Sequence, residues 1–241
     1  MSLSIHNNLI IIQNRINQAC SKVNRNPEEV KLLLATKTVS AENIQIAIDE
    51  GNSLLGENKV LEALDKYNLL KENNCQWHII GHLQTNKIKY ALKFADVIQS
   101  VDRLKLASKI QNRCEYDNRE IDVLIQVNTS FEESKFGVSS NNAIEFIKKV
   151  SDFPRLHIKG LMTIGLLSSK DEKVRDCFKL LKTIQLEAKA LELPNATFEE
   201  LSMGMSNDLE LAIEEGSTMI RVGSAIFGAR PYPDSYYWNE A

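Results

Sequence analysis

Three stretches of this chain carry residues that could do chemistry. In the first, the apolar run Val30-Lys31-Leu32-Leu33-Leu34-Ala35 ends in Thr36-Lys37-Thr38. A lysine in that place either lays its stem on apolar surface with its ammonium in water, or is partly desolvated. Desolvation lowers its pKa and frees the lone pair to attack an aldehyde and form an imine. Periodicity by itself favours the first reading. The other two stretches are Leu201-Ser202-Met203-Gly204-Met205-Ser206 and Arg221-Val222-Gly223-Ser224. Glycine lets backbone approach a ligand closely, and free amides at a helix start favour an anion. The hydroxyls of Ser202 and Ser224 can add donors to a phosphate. The plainer alternatives are that Ser206 caps a helix running to Glu214, which is the better account of that serine, and that Gly223 makes a tight turn.

The elements that must position these residues alternate along the chain. Leu9, Ile12, Ile16 and Ala19 recur at helical steps, so the spacing predicts an amphipathic helix over Leu3–Val23, ended by Asn26-Pro27. The run from Val30 reads as a strand buried on both faces. Ser40 can cap the next helix, which runs through Glu50 to Gly51. Further strands are expected near Ser53–Leu55, Gln76–Ile80, Asp96–Gln99, Asp122–Val127, His157–Leu161, Phe198–Leu201 and Met219–Val222. Helical stretches such as Asn58–Glu72, Leu104–Arg113, Ala143–Val150 and Val174–Leu191 lie between them. Eight strands joined by crossover helices suit a (β/α)8 barrel, with the first helix as an N-terminal addition. A doubly wound open sheet is the rival, but no Gly-x-Gly-x-x-Gly turn follows the first strand. No linker or composition shift divides the chain, so residues 1–241 are read as one domain.

In such a barrel the loops after the seventh and eighth strands commonly hold a phosphate. Closure of the barrel brings those loops beside the end of the first strand. A ligand with an aldehyde at one side and a phosphate at the other, sized for a barrel mouth, is pyridoxal 5′-phosphate. Arg221 can donate to its pyridine nitrogen, which keeps that nitrogen unprotonated and weakens the ring as an electron sink. The alternative for Arg221 is an ion pair with Asp208 or Glu210.

At these residues the sequence resembles the pyridoxal phosphate homeostasis proteins, the YggS/PROSC family, which are alanine-racemase N-terminal-domain-like. The likeness runs through Leu34-Ala35-Thr36-Lys37-Thr38, Gly56-Glu57-Asn58-Lys59-Val60-Leu61-Glu62 and Trp77-His78-Ile79-Ile80-Gly81-His82-Leu83-Gln84. It continues through Ser100-Val101-Asp102-Arg103, Ser134-Lys135-Phe136-Gly137, Leu201-Ser202-Met203-Gly204-Met205-Ser206-Asn207-Asp208 and Arg221-Val222-Gly223-Ser224. His82, at a position usually proline, and Ser40 depart from the family pattern. The resemblance implies a single (β/α)8 barrel of the alanine-racemase type that carries one pyridoxal phosphate as an imine of Lys37. It implies that Arg221 faces the pyridine nitrogen, that Ser202, Gly223 and Ser224 contact the phosphate, and that Asn58 lines the pocket. The implied role is storage, buffering or delivery of the cofactor, with pyridoxal-phosphate-dependent apoenzymes as recipients and no established catalytic reaction.

An amino-acid racemase is the alternative. Racemisation needs a base on each face of the substrate, and Lys37 supplies one. The tail Pro231–Ala241 holds Tyr232, Tyr236 and Tyr237, read as aromatics packing on the barrel wall.

Composition narrows the partners. Of 241 residues, 29 are Lys or Arg and 32 Asp or Glu, a net charge of −3 that offers no footprint for nucleic acid or an anionic membrane. Cys20, Cys75, Cys114 and Cys177 lie 55, 39 and 63 residues apart, unlike zinc or disulfide spacings. His78 and His82, on a strand–loop segment, share no helical face for a metal. Free thiols and the lack of a signal-like N-terminus make the expected location cytoplasmic, and a tail too short for the racemases' second, dimer-forming domain makes the expected state a monomer.

Overall fold

The structure is a computed structural model that describes residues 2–132, 134–166, 168 and 170–228. Eight parallel strands close on themselves: β1 (Lys31–Ala35), β2 (Leu54–Glu57), β3 (Gln76–Ile79), β4 (Val97–Val101), β5 (Ile121–Asn128), β7 (Leu156–Met162), β8 (Ala196–Ser202) and β9 (Met219–Val222). Each pairs with the next in that order, and β9 pairs back with β1. This is the barrel expected from the alternating pattern. One strand lies outside it. β6 (Val138–Ser139) adds a two-residue parallel pairing to the end of β5, too short to leave an alternation in the sequence.

Helices α2 (Ala41–Asp49), α3 (Val60–Leu70), α5 (Leu104–Tyr116), α6 (Ala143–Ser151) and α7 (Asp171–Lys189) make the outer layer. Ser40 caps α2, its side chain accepting from Asn43 N–H. The connection from β3 to β4 departs from a full helix: it is a 3₁₀ turn at Thr85–Lys87 and the four-residue α4 (Ile88–Ala91). An aromatic cluster of Tyr67, Trp77 and Phe94 fills the space beside it, with ring centroids 5.7–6.0 Å apart.

Two cores result. The larger lies between barrel and helices, and the smaller, Val97, Leu124 and Met162 with Ile164 against it, fills the barrel interior. α1 (Ser2–Lys22) buries Leu9, Ile12, Ile16 and Ala19, the stripe its spacing predicted, extends it to Ile5, and leaves Ile10 and Ile11 exposed. It packs on α2, α8 (Leu209–Glu214) and α9 (Ser224–Phe227). Arg15 grips Glu210 with two hydrogen bonds of 2.6 and 2.8 Å, and Asn8 donates to Ile226 O at 2.9 Å. The N-terminal helix therefore braces the two short helices that follow β8 and β9. No described helix is long and apolar enough to cross a membrane.

Candidate functional site at the barrel mouth

The alternation of β1 places Leu33 and Ala35 on one face, and Lys37 follows in the turn that leaves the strand. Leu33 fills the barrel interior so tightly that a Cβ on Gly56 of β2 would meet its Cδ2 at 2.2 Å. Lys37 lies just past the strand end and is half-buried. Ala35 is in register with Gly56, so Lys37 and Asn58 each follow, by two residues, a paired position at the ends of adjacent strands. Gly81, from the loop after β3, lies against the Asn58 backbone, where a Cβ would come within 2.7 Å.

The backbone on both sides of Lys37 is held from outside the barrel. Lys66 of α3 donates to Thr36 O and Glu57 Oε1, each at 2.8 Å, and to Glu62 Oε1 at 2.6 Å. The Thr36 hydroxyl donates to Glu57 Oε1 at 2.7 Å, and Thr38 N–H donates to Glu62 Oε1 at 2.8 Å. Burial pushes the Glu57 carboxyl up, opposed by Lys66 and the Thr36 hydroxyl. Glu62 ends below the ordinary value: its own burial is outweighed by Lys66 and the Thr38 amide. Thr38 takes φ 65°, the left-handed turn that carries the chain away from the strand. Sequence reasoning missed this clamp. Its one available signal was a lysine at an inward position of α3, nine residues after Glu57 and four after Glu62.

On the opposite side of the β1–β9 seam, Arg221 is in register with Leu33. It is 5% exposed, and its Nη1 and Nη2 donate to Ser202 Oγ and Thr163 O, each at 2.8 Å. No carboxylate lies within ion-pair distance among the described residues. Burial pulls Arg221 down to about 10, with Asp208 as the opposing charge. The ion pair weighed for Arg221 is absent: Glu210 is taken by Arg15, and Asp208 Oδ1 accepts Met205 N–H at 2.6 Å.

Gly223 follows β9, where a Cβ would stand 2.8 Å from Ala35 O. The end of β1 and the loop after β9 are therefore in contact, as barrel closure requires. Gly204 has φ +92°, and a Cβ there would meet that of Ala212 at 2.4 Å. This turn swings the chain after β8 back over the mouth. There the Ser206 and Ser224 hydroxyl oxygens lie 3.4 Å apart.

Ser206 is not the helix cap expected of it. α8 begins at Leu209 with Asp208 in the cap position, so the Ser206 hydroxyl is left facing Ser224. Ser202 is fully buried below Arg221 and donates to Gln99 Oε1 at 2.6 Å. Lys37, Asn58, Gly223 and Ser224 thus gather at the mouth, while Arg221 and Ser202 lie deeper. His78 bonds to Gln99 inside the barrel, and His82 stacks on Phe136 with centroids 4.0 Å apart. Among the described residues no group of three or more His, Cys, Asp or Glu could hold a metal. The tail tyrosines lie outside the described residues.

This donor set fits pyridoxal phosphate: an amine at one strand end, a buried guanidinium with no carboxylate partner, and two convergent hydroxyls beside a glycine that no side chain could replace without a shift. Comparison with known proteins agrees. Residues 8–231 match the model of the alanine racemase N-terminal domain. A pyridoxal phosphate homeostasis protein of Aquifex aeolicus is 42% identical over 218 residues, 90% of this chain and 95% of that protein. A crystal structure of a protein from Bifidobacterium adolescentis is 36% identical with TM-score 0.89, covering 94% of this chain and 95% of its own. PipY of Synechococcus elongatus, solved with pyridoxal phosphate bound, is 30% identical with TM-score 0.77, covering 89% of this chain and all of PipY. Alanine racemase of Clostridium difficile, at 14% identity and TM-score 0.75, shares the fold alone, and the chain spans 58% of its length. By these matches over nearly its whole length, the chain belongs to the pyridoxal phosphate homeostasis protein family.

Proposed function

We propose that this protein binds pyridoxal 5′-phosphate at the barrel mouth, covalently through Lys37, and stores, buffers or delivers it. What supports the reading is the meeting of strand ends: Ala35, two residues before Lys37, is in register with Gly56, two before Asn58, and its carbonyl lies against Gly223, with Arg221 buried below. The cofactor supplies an aldehyde that condenses with a primary amine, together with a ring nitrogen and a phosphate. Lys37 holds the aldehyde carbon, and the Lys66 clamp fixes the backbone around it. Asn58 lines the pocket beside it. Arg221 donates to the ring nitrogen, while Ser224, the Gly223 backbone and Ser206 hold the phosphate. Ser202 acts through Arg221, because its oxygen accepts from the guanidinium and its proton goes to Gln99.

A cation facing the ring nitrogen suits holding and release better than carbanion chemistry, so the protein is proposed to be a carrier without turnover. The recipients would be apoenzymes that use the cofactor, and the working form a monomer in the cytoplasm, where the free cysteines would stay reduced. Spectrophotometric titration with the cofactor tests this. Wild type should gain the absorbance band of a lysine-linked cofactor and Lys37→Ala should not. Incubation with amino acids in D₂O should give no Cα exchange above that of free cofactor. A band retained in Lys37→Ala, or exchange at a catalytic rate, would contradict the reading.

A further inference from the structure

Below the mouth, polar side chains from four strands form one hydrogen-bonded chain along the barrel interior. Arg221 Nη1 donates to Ser202 Oγ at 2.8 Å, the Ser202 hydroxyl donates to Gln99 Oε1 at 2.6 Å, and Gln99 Nε2 meets His78 Nδ1 at 2.7 Å. Gln99 Nε2 also lies 3.2 Å from Met219 Sδ. All four members are 5% exposed or less.

The direction of this chain follows from its top. A guanidinium only donates, so Ser202 must accept from Arg221 and spend its own proton on Gln99. The Gln99 oxygen is then used, and its NH₂ must face His78. His78 Nδ1 must therefore accept, which puts the ring proton on Nε2. Burial keeps the imidazole neutral, with its pKa pulled down to about 3. Nε2 has no acceptor among the described residues. His78 lines a cavity of about 230 Å³ at the opposite end of the barrel, together with Lys31, Gln76, Val97 and Met219, the first residues of their strands.

We infer that His78 and Gln99 are positioning residues: through Ser202 they hold the Arg221 guanidinium toward the ring nitrogen of the cofactor, and they do so from the basal end of the barrel. The inference rests on the cofactor assignment made above. If the neutral acceptor at His78 Nδ1 is lost, Gln99 can turn, the Ser202 proton loses its acceptor, and Arg221 keeps Thr163 O as its one firmly oriented partner.

Four variants test it: Gln99→Met, Gln99→Asn, His78→Leu and His78→Asn. Each is loaded with the cofactor, reduced with borohydride to confirm attachment at Lys37, and compared before reduction in absorbance maximum, dissociation constant and Tm. Gln99→Met and His78→Leu should keep the attachment, shift the absorbance maximum alike, and weaken binding about threefold to tenfold, the worth of one net hydrogen bond. His78→Asn should stay close to wild type, because its side-chain oxygen can accept where Nδ1 did. Gln99→Asn, too short to reach both neighbours, repeats the Gln99→Met outcome should the methionine variant not fold. If Tm falls while spectrum and affinity stay as in wild type, or if His78→Asn behaves like His78→Leu, the positioning role is overturned although the cofactor site stands. No attachment to Lys37 in wild type would overturn both.

Discussion

Acidification should destabilise this protein through His78, and the size of the effect can be worked out. In the unfolded chain the imidazole takes a proton near pH 6.5, whereas in the barrel its pKa is pulled down to about 3, first by burial and then by the charge of Lys31. Between those values the unfolded state binds the proton and the folded state does not. Stability contributed by neutral His78 is therefore fully present above about pH 6.5 and is lost as the pH falls toward the folded value. Linkage gives a loss of about 2 kcal/mol on going from about pH 7.5 to about pH 5, and about 5 kcal/mol once both forms are protonated. Glu57 and Asp208, raised by burial, and Glu62, lowered by Lys66, also change stability with pH. His78→Asn removes the histidine and leaves them in place. Urea unfolding of both proteins at the two pH values isolates the term. Wild type should lose about 2 kcal/mol more than His78→Asn. Equal losses, or an NMR titration of folded His78 near its ordinary value, would refute the reasoning.

Lys66→Met should cost about 3–5 kcal/mol at neutral pH, because Glu57 would be left buried and charged; denaturant curves should show part of that cost recovered as the pH falls and Glu57 takes a proton. Gly223→Ala should lose about 1–3 kcal/mol of stability from its clash with Ala35 O and also weaken cofactor binding, read by thermal melts and titration. Ser206→Ala and Ser224→Ala should each weaken cofactor binding by about 1–2 kcal/mol, roughly fivefold to thirtyfold, without moving the absorbance maximum. In the native protein Cys114, whose thiol burial pushes up to about 11, should resist alkylation until the chain unfolds, checked by iodoacetamide labelling and peptide mass.

Much of this architecture was legible because barrel strands are buried on both faces and their helices on one. The Leu9-Ile12-Ile16-Ala19 stripe and the run before Lys37 are direct images of those burials. So was the meeting of the end of β1 with the loop after β9, where Ala35 O lies against Gly223, since closure alone brings the two strands together. What the sequence left obscure depended on directions that periodicity does not encode. Ser202 and Ser206 are both serines in one short segment, and only the left-handed turn at Gly204 decides that Ser206 faces the mouth while Ser202 stays below Arg221. Gln99 and His78 sit in short strands of mixed polar and apolar residues, and the partners that join them to Arg221 come from strands far off in sequence. Lys66 looked like any helix lysine until the barrel wall placed Glu57 beneath it.

The central claim concerns where the cofactor is attached. Borohydride reduction of the protein mixed with pyridoxal phosphate, followed by tryptic digestion and mass spectrometry, reads that position directly. The pyridoxyl mass should appear on Lys37, together with a missed cleavage there, and should vanish in Lys37→Ala. Modification spread over surface lysines with Lys37 untouched would contradict the account.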